Sequence, residues 1–453
     1  MQEKTIAAIS TPPGEGGIGT VRISGKSAIS VSDKVFHSAS GKKLSEIGGY
    51  TALYGKIYYE NELIDEAVAL IFRAPKSYTG EDVVEISVHG GSFPLKETLR
   101  AVLSAGAEPA APGEFTKRAY LNGKLDLIEA EAVMSIISAD SKASSKAALS
   151  LHSGAAKKNI EKIRSDLLTT AAGLSVFSDY PDDELPEFSP DSLLTSLGSA
   201  KKELENLLRT YDAGKIMREG INAVIAGRPN VGKSTLMNLL SGCRKSIVTP
   251  IAGTTRDVVE EDIILGNIKL HLSDTAGLRY TKDEVEKIGV EISREKLKVA
   301  GLVLAVFDRS QKENEEDIRL IEICRSQPSL AIVNKSDLDS LFNEELLKGI
   351  PTVTVCANNT QAIDEITAEI EKICKTDRLQ GNETVLCSER QRNQCERCLK
   401  YINEAISVLT SGFTLDAVGV CIDDALSCLL ELTGERVTNA VVDEVFSKFC
   451  VGK

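Results

Sequence analysis

The chain has 453 residues, 42% of them hydrophobic and 26% charged, with a formal net charge of −13. That length is too great for one compact core and points to about three domains. No run of 18 or more apolar residues is present, which excludes an ordinary membrane-spanning helix, and the acidic balance excludes a protein held on nucleic acid chiefly by phosphate attraction. Pro12-Pro13 falls before a signal-sequence core can form, so the expected location is the cytoplasm. The ten cysteines are scattered rather than set in a framework, and Cys395 and Cys398 read as reduced neighbours on one helix face.

Residues 1–119 mix short apolar strands with Gly/Pro turns, namely Ile6 to Ile9, Thr20 to Ile23, Ala67 to Phe72 and Val83 to Val88. This pattern predicts a small α+β domain. Gly14 to Gly19 fits a glycine-rich dinucleotide signature, but Val21-Arg22-Ile23 after it reads as a strand, so no nicotinamide or flavin site is expected there. Residues 120–215 carry apolar positions at helical spacing, such as Ile128, Ala132 and Ile136, and predict helices. The run Asp179 to Pro186, with two prolines, interrupts them.

Residues 216–376 alternate strand and helix patterns, as a mostly parallel sheet with covering helices does, with strands expected at Ile221 to Ala226, Ile268 to Leu272, Leu302 to Phe307, Leu330 to Val333 and Thr352 to Val355. Residues 377–453 return to helix. The predicted architecture is an N-terminal α+β domain, a discontinuous helical domain, and a P-loop α/β domain inserted between the helical parts.

The chemistry is written most clearly in Gly227-Arg228-Pro229-Asn230-Val231-Gly232-Lys233-Ser234, followed by Thr235. Its glycines permit a loop whose N–H groups face phosphates, Lys233 can neutralise the β- and γ-phosphates, and the Ser234 hydroxyl can ligate Mg²⁺. Asp274-Thr275-Ala276-Gly277 follows a strand, where the carboxylate can hold the Mg²⁺ shell and the Gly277 N–H can meet the γ-phosphate. Asn334-Lys335-Ser336-Asp337 follows another, and Asp337 can accept the N1–H and 2-amino donors of guanine. Adenine has no such pair, so GTP is the expected nucleotide.

Thr249 to Asp257 lies where the first switch belongs, with Thr255 expected to complete the Mg²⁺ shell. Cys356-Ala357-Asn358 replaces the usual Ser-Ala-Lys of the fifth guanine element. Leu278 stands where many GTPases place a water-orienting glutamine, so another group must serve, and Asp283, Glu284 and Glu286 are the candidates. Asn230 with the Thr249 to Thr254 loop offers oxygen ligands for a monovalent cation, which predicts K⁺ stimulation.

Beyond the nucleotide motifs, the chain resembles the MnmE (TrmE) family of tRNA-modifying GTPases. The resemblance is carried by Thr11-Pro-Pro-Gly with Gly17 to Gly25, Tyr78-Thr-Gly-Glu-Asp82, Val88-His-Gly-Gly91, Pro112-Gly-Glu-Phe115, Lys124-Leu-Asp-Leu127, Asp179 to Glu184 and the ending Phe449-Cys-Val-Gly-Lys453. It implies a folate-binding, dimerising N-terminal domain, a split helical domain and an inserted Ras-like domain. It also implies a homodimer that joins a FAD-dependent MnmG (GidA) family subunit in a heterotetramer. That assembly modifies C5 of the tRNA wobble uridine with a one-carbon unit from 5,10-methylene-tetrahydrofolate or a formyl analogue.

The resemblance further assigns Arg22, Glu85, Lys124 and Lys453 to the folate derivative. It assigns K⁺ to Asn230, Thr249, Ile251 and Thr254, Mg²⁺ to Ser234 and Thr255, and the catalytic carboxylate to Glu286 beside Lys233. The competing class is a GTPase switch in ribosome assembly, which would need an RNA-binding module that the acidic helical tail does not offer.

Overall fold

The computed structural model describes residues 4–179, 190–242, 260–274, 300–356, 361–376, 385–386, 388–411 and 414–453. It divides into two compact units, residues 1–134 with 419–453, and residues 135–418.

The first unit is built on a seven-stranded sheet. Its strands are β1 (Ile6–Ile9), β2 (Gly16–Ser24), β3 (Phe36–Ser38), β4 (Thr51–Tyr59), β5 (Glu62–Phe72), β6 (Val83–Gly90) and β7 (Glu108–Pro109), in the order β3-β4-β5-β6-β2-β1-β7. Only the β1–β7 pair is parallel. Side chains alternate across a strand, and this alternation separates core from site. Ala7, Val21 and Ile23 join a core with Ala28 and Val31 of helix Ala28–Val35 and with Leu95 and Val102 of helix Ser92–Ser104. Ile6 and Ala8 pack with Phe115 of helix Glu114–Leu121 and with Tyr78. The glycine-rich run at residues 14–19 leads into β2 and no helix follows it, as expected.

Near the chain end, Val442 and Phe446 of helix Asn439–Ser447 and then Phe449 pack with Leu127, Ala130 and Val133. Gly113, at φ +65°, lies so close that a Cβ there would sit 2.7 Å from the Phe446 carbonyl oxygen. This packing delivers the last four residues to the sheet.

The second unit carries a six-stranded sheet of β8 (Ile221–Ala226), β9 (Glu260–Leu265), β10 (Ile268–Asp274), β11 (Leu302–Asp308), β12 (Ser329–Asn334) and β13 (Thr352–Thr354), ordered β13-β12-β11-β8-β10-β9. All pairs are parallel except β9–β10. A parallel sheet covered on both faces needs apolar residues at consecutive positions. Strand β11 meets this requirement: Leu302, Leu304 and Val306 enter one core, and Val303, Ala305 and Phe307 the other. Helices Lys233–Ser241 and Gln361–Ile373 cover the first face, and helix Glu315–Ser326 covers the second.

Helices Lys142–His152, Ala155–Asp179, Pro190–Glu219 and Glu389–Thr410 complete this unit. Helix Pro190–Glu219, before the sheet in sequence, packs on helix Glu389–Thr410, after it. Lys215 Nζ lies 3.0 Å from Glu389 Oε1, and Arg392 sits over the Tyr211 ring at 5.4 Å. The α/β sheet is therefore an insertion between helices that meet each other. The break expected at Asp179 to Pro186 lies, after Asp179 itself, outside the described residues.

Candidate functional site

The carboxyl edge of the second sheet gathers the nucleotide motifs, as parallel α/β sheets do where the strand order turns about the central strand. β8 ends at Ala226, the loop runs from Gly227 to Gly232, and Lys233 opens the following helix. Gly227 adopts φ +151° and Gly232 φ +101°, and a Cβ would collide with the Val306 carbonyl at the first and with the Asn334 side chain at the second. Glycine is required at both positions by conformation and by space. The Lys233 ammonium donates to the carbonyls of Gly227 and Arg228, each at 2.7 Å, so it lies folded over the loop.

Ser234 and Thr235 are exposed on the first helical turn, and their hydroxyls have no hydrogen-bond partner among the described residues. Asn230 is exposed at φ +64°, with its side-chain amide similarly open. The donor set suits a phosphate chain with a divalent cation: backbone amides at a helix N-terminus, one ammonium and an available hydroxyl. Asp274 ends β10 in register with Ile225 of β8, which sets its backbone beside the start of the loop.

On the other side of β8, Asn334 ends β12 and donates from Nδ2 to the Val231 carbonyl at 2.9 Å. One buried amide thus ties the base motif to the phosphate loop. Asp337 is exposed, and its carboxylate has no partner among the described residues. It is free to accept two N–H donors from a base edge.

Two acids that the motifs did not flag support this edge. Asp317, nine-tenths buried or more at 1% exposure, lies 3.0 Å from Arg228 Nε and so braces the phosphate loop. Asp308 closes β11 and pairs with Lys335 at 2.6 Å. The available signal for Asp308 was an acid ending an otherwise apolar buried strand.

Thr249, Ile251, Thr254, Thr255, Thr275, Ala276, Gly277 and Glu286 lie outside the described residues, as do Leu278, Asp283, Glu284, Ala357, Asn358 and the side chain of Asp274.

The first unit holds a second site, on the sheet face opposite the helices Ala28–Val35 and Ser92–Ser104. Arg22 of β2 and Glu85 of β6 are direct cross-strand neighbours, and Arg22 Nε donates to Glu85 Oε1 at 2.8 Å. The guanidinium lies 5.5 Å from the Tyr78 ring centroid and 5.7 Å from that of Phe115, both within cation–π range. Tyr78 bonds to Thr116 Oγ1 at 2.9 Å, and its pKa is raised above the ordinary value, burial outweighing that bond and the Arg22 charge.

The chain terminus closes the group. Gly113 N–H donates to the Cys450 carbonyl at 3.3 Å, Phe115 N–H to the Lys453 carbonyl at 3.2 Å, and Arg22 Nη1 to the Gly452 carbonyl at 3.3 Å. Gly452 sits at φ +97° against the Ile9 carbonyl, with no room for a side chain. The Lys453 ammonium has no hydrogen-bond partner among the described residues, and its pKa is pulled below the ordinary lysine value by partial burial and then by the Arg22 charge.

Arg22, Glu85 and Lys453 are thus brought together, with the Cys450 side chain exposed at the tail. Lys124 bonds instead to the Pro75 carbonyl at 3.3 Å and is exposed. Glu85 Oε2 has no partner among the described residues, because both Arg22 contacts go to Oε1. An open carboxylate oxygen, an unpartnered ammonium and the half-buried Tyr78 ring suit a flat heterocycle that offers N–H donors and carries an anionic arm.

Two family descriptions match the chain: "GTP-binding protein TrmE N-terminus" over residues 5–124 and "MnmE helical domain" over residues 127–450. The chain is similar to the tRNA modification GTPase MnmE of Alkaliphilus oremlandii, 40% identical over 458 residues, covering 100% of this chain and 99% of that protein. The protein of the same description from Carboxydothermus hydrogenoformans is 41% identical over 461 residues, covering 100% of both. Among solved structures, the G domain of the T. maritima FeoB iron transporter aligns with 34% of this chain and 98% of its own, at 25% identity and a TM-score of 0.26.

Proposed function

This chain belongs to the MnmE family of tRNA modification GTPases, and we propose what each of its two sites binds and does. The chain is a GTP hydrolase acting in tRNA modification. Its nucleotide edge binds GTP through the Gly227 to Gly232 loop and Lys233, and Asp337 reads guanine. Mg²⁺ would be held by Ser234 and Thr255, with the Asp274 carboxylate supporting its shell, and K⁺ by Asn230, Thr249, Ile251 and Thr254. These cations supply positive charge to the phosphates, and Glu286 orients the attacking water.

At the second site, Arg22, Glu85 and Lys453, with Lys124 on the neighbouring surface, hold 5,10-methylene-tetrahydrofolate or a formyl analogue. The bound folate supplies the one-carbon unit. The residues of this chain orient it: Glu85 Oε2 accepts from the heterocycle and the Lys453 ammonium meets its anionic arm. Residues 1–119 form the folate-binding and dimerisation domain, residues 120–215 and 377–453 the helical domain, and residues 216–376 the Ras-like domain. The homodimer joins a FAD-dependent MnmG-type subunit in the cytoplasm, and together they add an aminomethyl or carboxymethylaminomethyl group to C5 of the wobble uridine.

The observation that carries this reading is that a likeness of about two residues in five spans both the P-loop sheet and the C-terminal tail seated against Arg22. Two measurements on the purified chain test its finer parts. GTP turnover at matched ionic strength should be faster in K⁺ than in Na⁺, and a tetrahydrofolate derivative should bind wild type but not Arg22→Ala. Equal turnover in the two salts removes the cation assignment, and unchanged folate binding removes the second site.

A further inference from the structure

Asp308 is the last residue of β11, a strand buried at all seven positions, and is itself fully buried. Its Oδ1 accepts from the Ser310 N–H at 2.9 Å and the Ser310 hydroxyl at 2.7 Å. Its Oδ2 accepts from Gln311 Nε2 at 2.9 Å and the Lys335 ammonium at 2.6 Å. A buried carboxylate is tolerated when its lone pairs are used and a cation opposes it, and both conditions hold here. Burial pushes its pKa up, but the bonds from Lys335 and Ser310 outweigh burial and hold it below the ordinary aspartate value. The group is a carboxylate at neutral pH.

Lys335 stands two residues before Asp337, and its own backbone is in the left-handed region at φ +63°. An ammonium on a flexible four-carbon stem, two residues from an exposed carboxylate with no partner among the described residues, could pair with it. That pairing would occupy the oxygens a guanine needs and cancel the charge that attracts its N–H donors. In the structure the Lys335 ammonium is taken by an acid on the neighbouring strand, at a position in register with Asn334.

We propose that Asp308 is a specificity-determining positioning residue, which holds the Lys335 ammonium away from Asp337 and so keeps the Asp337 carboxylate free for guanine. The inference rests on the reading of Asp337 as the guanine acceptor. Asp308 touches no nucleotide itself. Its effect passes through Lys335, so removing Lys335's charge should make Asp308 dispensable.

The experiment is a fluorescent-GDP titration of the full-length chain as wild type, Asp308→Asn, Lys335→Met, and Asp308→Asn with Lys335→Met. Asp308→Asn should weaken GDP by about tenfold, the loss expected when a polar base edge meets an occupied acceptor. Its kcat at saturating GTP should stay within about twofold, since the loss is of uniform binding. The double variant removes both charges of the pair and keeps the lysine's apolar stem, and should bind GDP within about threefold of Lys335→Met alone, because without the ammonium Asp308 has nothing to hold.

Wild-type affinity in Asp308→Asn, or a double variant that binds more than about threefold below Lys335→Met alone, overturns the proposal. The double variant keeps this test in force if Asp308→Asn alone does not fold. Failure of the underlying reading shows separately: Asp337→Asn should exchange GTP for xanthosine triphosphate, and a variant that still prefers GTP removes the base assignment whatever Asp308 does.

Discussion

Arg22 and Glu85 face each other across β2 and β6 in direct register, joined at 2.8 Å, with side-chain exposures of 15% and 24%. A pair this shielded matters more than a surface ion pair, because removing one partner leaves the other poorly hydrated and uncompensated. Glu85→Ala should destabilise the first unit by about 2 kcal/mol, read as a lower urea midpoint. Glu85→Gln keeps the shape and loses the charge, and should weaken folate binding while GTP turnover stays within about twofold.

Gly452 tests whether the chain end is part of that site. With φ at +97° and the Ile9 carbonyl against its α-carbon, Gly452→Ala can be accommodated only by moving the tail. The Arg22 bond to the Gly452 carbonyl should break, and Lys453 should leave the cluster. Calorimetric titration should then show folate affinity reduced by about tenfold, with GTP affinity unchanged.

Lys453 gives a pH signature. Its folded pKa is lowered from 10.5 by partial burial and the Arg22 charge. Between the folded value and 10.5 the unfolded chain binds more protons, so this group's contribution to stability rises with pH through that window and is complete above 10.5. At neutral pH the charged lysine costs stability, and Lys453→Met should raise the melting temperature of the ligand-free protein at pH 7 by about 1 °C. The gain should shrink as pH approaches 10, and the same variant should lose folate affinity. A gain that grows with pH would contradict the assignment.

Gly214 reports on how the two helical segments meet. A side chain at this position of helix Pro190–Glu219 would run into Val385. Gly214→Val should cost about 1–3 kcal/mol, since overpacking displaces neighbours that cannot collapse elsewhere. Thermal melting followed by circular dichroism checks this, and wild-type stability would mean that the contact yields.

Much of the fold was legible because buried parallel strands are written as unbroken apolar runs. Ile221 to Ala226 is a strand at the bounds expected, and the expected Leu302 to Phe307 extends by one residue to Asp308. Strands β4 and β9 were not singled out: Gly55 and Lys56 interrupt the alternation in Thr51–Tyr59, and Glu260–Leu265 opens with three acids. They form because neighbouring strands supply the pairing, which local pattern does not encode.

The phosphate and base motifs were legible because each is contiguous in sequence. Their braces were not, since Asp308 and Asp317 reach Lys335 and Arg228 from other segments. The cluster of Arg22, Glu85 and Lys453 joins residues up to 431 positions apart in the chain, counting from 22 to 453, and only the family resemblance pointed to it.

The central claim is that GTP hydrolysis by this chain serves tRNA modification, and the direct measurement is nucleoside mass spectrometry of bulk tRNA from cells lacking the gene. With wild type restored, the 5-aminomethyl type of wobble uridine should be present, and with Lys233→Ala or Asp337→Ala it should be absent. Modified uridine at wild-type level in cells carrying either variant, or in cells with no copy at all, would contradict the account.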